Sequence, residues 1–285
     1  MTISVLMATY AKENPKYLDE SIKSIWTDQE RKPDQIVLVE DGLLTQELNE
    51  IVNKWRTIIK EKFTLLANNK NKGLALALND GIELCKGELI ARMDSDDIAM
   101  PNRFKIQESY MEQHPDVEIL GGSLEEFNDE GTLHKVRTYP QNFTAIKNSI
   151  HKASPLGHPT VMFRHSLFKR GYRYSNQFFI CEDVILWYEA LAGGVKINNI
   201  HDIVLKFRRN DSMMNRRGKK KAWSEFLAYT YGIHMLDGIF TIKYVYPCAR
   251  LLFRLMPSPI IKFIYNSKLR NIIDDSAVSV PSVAV

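Results

Sequence analysis

Cysteine is scarce in this chain: three residues in 285, Cys85, Cys181 and Cys248, far apart and without paired spacing. That pattern argues against both a disulfide framework and a zinc cluster, and leaves reduced thiols as the expectation. Uninterrupted apolar runs are equally wanting. The most apolar stretch near the C terminus is punctuated by Asp237, Lys243 and Arg250, so it never reaches the 18 or so residues that a spanning helix needs. The opening Met-Thr-Ile-Ser-Val-Leu-Met has neither the basic start nor the small-residue cleavage site of a secretory signal. A cytoplasmic location is the resulting expectation. Glycine is missing from Met7 to Lys12, where a Gly-rich phosphate loop would have to follow the first strand. This counts against a sugar nucleotidyltransferase.

What is present suits one large globular domain with an accessory segment: 45% apolar and 25% charged residues. The net charge of +4 is unevenly spread. From His201 onward there are 14 Lys and Arg against 6 Asp and Glu, whereas the first 200 residues hold 24 against 28. The two parts therefore face different partners. With an acidic first part and no recognisable nucleic-acid module, nucleic acid is not an expected partner.

Ile3 to Ala8 and Gln35 to Glu40 are short apolar runs of the kind buried parallel strands show, and between them Leu18, Ile22, Ile25 and Trp26 have helical spacing. Helices are expected around Thr45 to Lys60 and Ala75 to Leu84, with strands at Phe63 to Ala67 and Leu89 to Met93. Alternation of this sort predicts an α/β fold, a mainly parallel sheet covered on both faces with ligands at the carboxyl ends of its strands. Thr9, Asp41 and Asp94 fall at such ends. Further on, helices at Asn102 to Gln113 and Val184 to Ala192 and strands at Glu118 to Gly122 and Pro159 to Phe163 are expected.

Asp94, Asp96 and Asp97 crowd three carboxylates into four residues after an apolar strand. Like charges this close call for a counter-charge, and Mg²⁺ or Mn²⁺ shared with phosphate oxygens would supply it. A solvated turn or a helix cap is the competing reading.

Taken together, Ser4 to Tyr10, Val39-Glu40-Asp41-Gly42, Asn71-Lys72-Gly73, Ala91 to Asp97 and Glu182-Asp183 stand in an order and spacing that resembles the family 2 glycosyltransferases, over roughly Thr2 to Asn210. The likeness is greatest to bacterial members that build surface polysaccharides and O-antigen repeat units. It implies a GT-A fold and inverting transfer from a nucleotide diphosphate sugar, with UDP-hexose as the expected donor. By the same resemblance Thr9 and Asp41 line the nucleotide pocket, Asp41 accepting a hydrogen bond from the base. Asp94 approaches the ribose or diphosphate and stands beside Asp96, the principal cation ligand. Asn71, Lys72 and Arg92 match motif neighbourhoods in the donor site.

An inverting displacement needs a group to take the acceptor hydroxyl's proton. Glu182 and Asp183 precede an apolar helical run, where the helix dipole favours anions whether or not they have a catalytic role. The resemblance makes Asp183 the base. His158, in Leu156-Gly157-His158-Pro159-Thr160-Val161, is either a hydrogen-bonded structural residue or part of an acceptor or sugar pocket. Trp187 fits a core position at least as well as a sugar platform.

Arg208, Arg209, Arg216, Arg217 and Lys219 to Lys221 form a basic run. It reads as a solvated loop, a loop over the donor diphosphate, or a contact to anionic lipid. Ile239 to Met256 and Ile260 to Ile273 mix aromatic and aliphatic residues with cations, as amphipathic helices on a membrane or helices packed on the catalytic domain do. The expected organisation is a catalytic domain over 1–218, a basic helical extension over 219–275 and a flexible tail over 276–285. The function expected is metal-dependent hexose transfer to a glycan, in particular one linked to a polyprenyl diphosphate. A non-catalytic glycan-binding protein on the same fold is the other alternative.

Overall fold

A computed structural model describes residues 1–178, 180–209 and 219–255. The first half alternates as expected: β1 (Ile3–Thr9), α1 (Pro15–Trp26), β2 (Gln35–Glu40), α2 (Gln46–Ile59), β3 (Phe63–Ala67), α3 (Leu74–Ile82) and β4 (Leu89–Asp94). There follow β5 (Ile98–Ala99), α4 (Arg103–Gln113), β6 (Val117–Phe127), β7 (His134–Arg137), α5 (Phe143–Ser149), β8 (Met162–Arg164), α6 (His165–Lys169) and α7 (Glu182–Ala192). The described chain ends with β9 (Lys196–Arg208), α8 (Lys219–Asp237) and α9 (Val245–Leu255).

Among the described residues the strands form one sheet in the order β3-β2-β1-β4-β8-β6-β9-β5, with β7 paired to β6. The segment β3-β2-β1-β4 is parallel, and every residue of β2 is buried, because helices cover both faces. Side-chain alternation divides the core. Ile3, Val5 and Met7 pack with Leu18, Ile22 and Trp55 of α1 and α2, while Leu6 meets Ala77, Leu78 and Ile82 of α3. Asn14 and Thr45 cap α1 and α2 through their side chains, as such residues do at helix starts.

Beyond β4 the sheet becomes mixed: β8 runs antiparallel to β4 and β6, while β9 runs parallel to β6. Here the structure departs from the expectation. β6 does not stop at Gly122, and the two glycines that resemble a turn lie inside it. A Cβ at Gly121 would come within 2.0 Å of Asn199 Oδ1, and one at Gly122 within 2.7 Å of Val204 Cγ2, so glycine is the residue that lets β9 approach. β9 itself escaped the pattern because Asn198, Asn199, His201 and Asp202 break its alternation. Pro159 belongs to a 3-10 turn ahead of β8 rather than to the strand.

The basic run also divides. Arg208 ends β9 and is 3% exposed, which is not the solvated loop expected of it; Arg216 and Arg217 lie outside the described residues. Lys219 opens α8. That helix packs on α7, and its Tyr229 and Ile233 join Trp187 and Tyr188 in the main core. Residues 256–285, with the end of the expected extension and the tail, lie outside the described residues. No helix among the described residues is long and apolar enough to cross a membrane.

Candidate active site

The carboxyl ends of β1, β2 and β4 open into a cleft of about 770 Å³, a size suited to a small organic ligand. Thr9, Asp41, Asn71, Arg92, Asp94, Asp96, His158, Glu182 and Asp183 all line it. Lys72 does not. Its ammonium pairs with Asp80 at 2.8 Å on the surface, and its share in the site is a backbone one. The N–H groups of Lys72 and Gly73 donate to Asp41 Oδ1 and Oδ2 at 2.6 and 2.9 Å. Asn71 Nδ2 donates to the Asp41 carbonyl at 3.1 Å, and the Asp41 N–H donates to Thr9 O at 2.8 Å. Asp41 thus ties the β1 and β2 ends to the loop before α3, where Gly73 adopts φ +89°.

After β4, candidate ligand atoms of Asp94, Asp96 and Asp97 lie within 4.8 Å of one another. Burial, then the charges of Asp94 and Glu13, push the Asp96 carboxyl up to about 7. Asp97 is fully buried and shifted upward by burial, then by Asp94 and Asp96; its Oδ2 has no protein partner. A turn of carboxylates short of positive charge, with an orphaned buried oxygen, fits a hard divalent cation. Asp94 is paired with Arg92, a buried side chain whose Nε and Nη1 have no protein acceptor among the described residues. These two nitrogens are buried, so the guanidinium acts on the cleft through its pairing with Asp94 and through its positive charge.

On the facing side, Glu182 and Asp183 open α7 behind Cys181, which holds a left-handed φ of 75°. Such a conformation costs a non-glycine residue free energy and persists where surrounding structure imposes it. Burial, then the neighbouring Glu182 charge, pushes the Asp183 carboxyl up to about 7, a value suited to a base near neutrality. His158 Nε2 lies 2.9 Å from the Tyr174 hydroxyl, and burial, then Arg92, holds its pKa well below the usual imidazole range. Trp187 is fully buried against Phe163 and is a core residue.

Two further residues are central, Glu13, which sequence reasoning passed over, and Arg208, whose part it misjudged. Glu13 lines the cleft and accepts from Ser95 Oγ at 2.5 Å. Arg208 clamps the acidic turn: its Nε donates to Asp96 O and its N–H to Asp97 Oδ1, both at 2.8 Å. Its guanidinium also pairs with Glu20 and Asp129 and stacks 4.1 Å from the Tyr17 ring centroid. The expectation that Arg208 reaches a diphosphate is replaced by this structural duty, since its donors already have partners. Only its membership of the basic run marked it in sequence.

Residues 4–172 match Glycosyl transferase family 2. The chain belongs to that family. This glycosyltransferase is 35% identical over 277 residues to the UDP-Gal:alpha-D-GlcNAc-diphosphoundecaprenol beta-1,3-galactosyltransferase of Escherichia coli, covering 94% of this chain and 96% of that one. It is 32% identical to the amylovoran biosynthesis glycosyltransferase AmsE of Erwinia amylovora, over 92% of this chain and 97% of that one. Among solved structures, S. aureus TarS 1-349 in complex with UDP-GlcNAc superposes with a TM-score of 0.63 at 21% identity, over 95% of this chain and 78% of that one. The mannosyltransferase PcManGT from Pyrobaculum calidifontis, in complex with GDP-Man and Mn²⁺, also gives 0.63, at 13% identity over 96% of this chain and 79% of that one. The expected GT-A fold with C-terminal helices is the fold found.

Proposed function

We propose that this glycosyltransferase moves a hexose from a UDP-sugar to a glycan carried on a polyprenyl diphosphate, with inversion, in bacterial surface polysaccharide synthesis. The observation that carries the reaction is the raised carboxyl of Asp183 in the same cleft as Asp94 and Asp96 of the carboxylate turn. The donor and acceptor classes draw support from the E. coli relative's printed substrates.

Thr9 and Asp41 border the nucleotide, with Asn71 and the backbone of Lys72 and Gly73 holding Asp41 in place. Arg92 holds Asp94 in place beside the diphosphate and sets a positive charge behind it. Asp96, with Asp94, would hold Mg²⁺ or Mn²⁺, which stabilises the negative charge of the departing nucleoside diphosphate when bound. Asp183 takes the proton of the acceptor hydroxyl while that oxygen bonds to the anomeric carbon and the bond from that carbon to the diphosphate breaks. Glu182 keeps Asp183 basic through its adjacent charge. His158 borders the sugar as a neutral hydrogen-bonding ring.

UDP release from a panel of UDP-sugars, with a lipid-diphosphate glycan acceptor and Mn²⁺, Mg²⁺ or EDTA, tests this reading. Cation-dependent release from one donor, lost in Asp96→Ala and Asp183→Asn, is expected. Release that ignores EDTA or either substitution overturns the assigned roles.

A further inference from the structure

Helix α9 turns its charged residues toward the protein and its apolar residues toward solvent. Arg250 donates to Glu225 Oε1 at 3.1 Å and lies 4.3 Å from the Tyr229 ring centroid, and Arg254 reaches Glu225 Oε2 at 2.7 Å. Val245, Cys248, Ala249, Leu252 and Leu255 recur at three- and four-residue steps, so they share one face, and all five are exposed. Leu252 is 64% exposed, and the turn ahead of the helix adds Phe240 at 95% and Ile242 at 86%. A contiguous outward apolar face of this kind marks a surface that meets something other than water.

Charge decides what it meets. Over residues 219–255 the acids are Glu225 and Asp237, against Lys219, Lys220, Lys221, Lys243, Arg250 and Arg254. Both acids are held in ion pairs, Asp237 with Lys243 at 2.5 Å. The apolar face is therefore carried on a net-positive pair of helices. A second copy docked symmetrically would bring two such positive regions together, which electrostatic complementarity disfavours. An anionic lipid surface accepts both features, taking the apolar side chains into the acyl boundary while its negative potential attracts the net-positive pair of helices.

We propose that α9 and the turn before it dock on an anionic bilayer, with Phe240, Ile242 and Leu252 entering the interface. Docking would hold the cleft beside a lipid-carried acceptor, but it does not depend on the transfer reaction proposed above. The test is sedimentation of the full chain with vesicles of phosphatidylglycerol and phosphatidylcholine, against phosphatidylcholine alone, for the native protein and Phe240→Ser/Leu252→Ser. The native chain should bind the anionic vesicles at least about tenfold more tightly than the neutral ones, and the double variant should lose about tenfold or more. The variant's thermal melt should be unchanged, since both side chains are exposed. A native chain that stays in the supernatant, or a variant that sediments like the native chain, overturns the proposal. So does a dimer on size exclusion with light scattering that the double substitution disperses, because the face would then belong to a second copy. The vesicles hold neither sugar donor nor acceptor, so failure here leaves the transfer reading untouched.

Discussion

The backbone N–H of Arg208 donates to Asp97 Oδ1 over 2.8 Å, joining the end of β9 to the acidic turn after β4 across 111 residues of sequence. Through this contact and the bond from its Nε to Asp96 O, the last described strand of the sheet holds in place the carboxylates that face the cleft.

Replacing Arg208 with Ala should cost about 2–4 kcal/mol in urea denaturation, because Glu20 and Asp129 lose their shared partner beside a buried void. The figure is kept modest because those two carboxylates are 35% and 37% exposed. Arg208→Lys should recover part of the stability without restoring the two-armed geometry. UDP release should fall more than tenfold in both variants as Asp96 loses its fixed orientation. A variant with native activity would show that the turn holds itself.

The pH dependence of turnover should carry the signature of Asp183. With its carboxyl at about 7, the rate should rise with pH below about 7 and level off above it, since the base must be ionised. Asp183→Asn should reduce turnover by about 10²–10⁴-fold while donor binding, measured by calorimetry, persists. Stability should move the opposite way. A folded pKa above the ordinary aspartate value means the native state binds the extra proton between about pH 4 and 7, so this group's contribution to stability is lost as pH rises through that window. At pH 8 the Asn variant should therefore melt roughly 2–4 °C higher than the native protein.

Asp41→Asn should weaken donor binding and lower stability by about 1–3 kcal/mol, because an amide group then faces the N–H groups of Lys72 or Gly73 where a carboxylate oxygen accepted. Gly73→Ala should cost about 1–3 kcal/mol through backbone strain alone, since φ +89° with ψ +157° is a conformation that few residues but glycine adopt, while open space surrounds the position of the added Cβ. Lys72→Ala should leave the KM for the donor within about twofold of native, its side chain being directed to Asp80. A large rise in KM for Lys72→Ala would place the ammonium in the cleft.

Tyr174→Phe should free the ring of His158 and raise KM by about 3–10-fold, the worth of one hydrogen bond, with kcat and the thermal melt changed less. His158→Gln, which keeps a hydrogen-bonding group, should retain more activity than His158→Ala. Equal losses in the two His158 variants would show that the ring serves packing alone.

Local pattern carried much of this site. Thr9, Asp41 and Asp94 could be placed at strand ends because β1, β2 and β4 are short apolar runs whose limits show in the residues themselves, and a parallel sheet puts its ligands at those ends. Glu182 and Asp183 were visible as charges opening an apolar helix. β9 was not, because a strand that crosses two glycines of β6 and carries Asn198, Asn199, His201 and Asp202 has no clean period to detect.

From sequence alone came the β-α-β frame, the family, the acidic turn and the position of the candidate base, because periodicity and short motifs depend on neighbours a few residues away. Tertiary structure alone decided that Arg208 is a buried clamp rather than a solvated cation, that Lys72 serves through its backbone, and that α9 turns its apolar face outward. Each of those depends on burial and on partners in other elements of the fold, and neither a charge's surroundings nor a helix's outward face is set by the residues beside it in the chain.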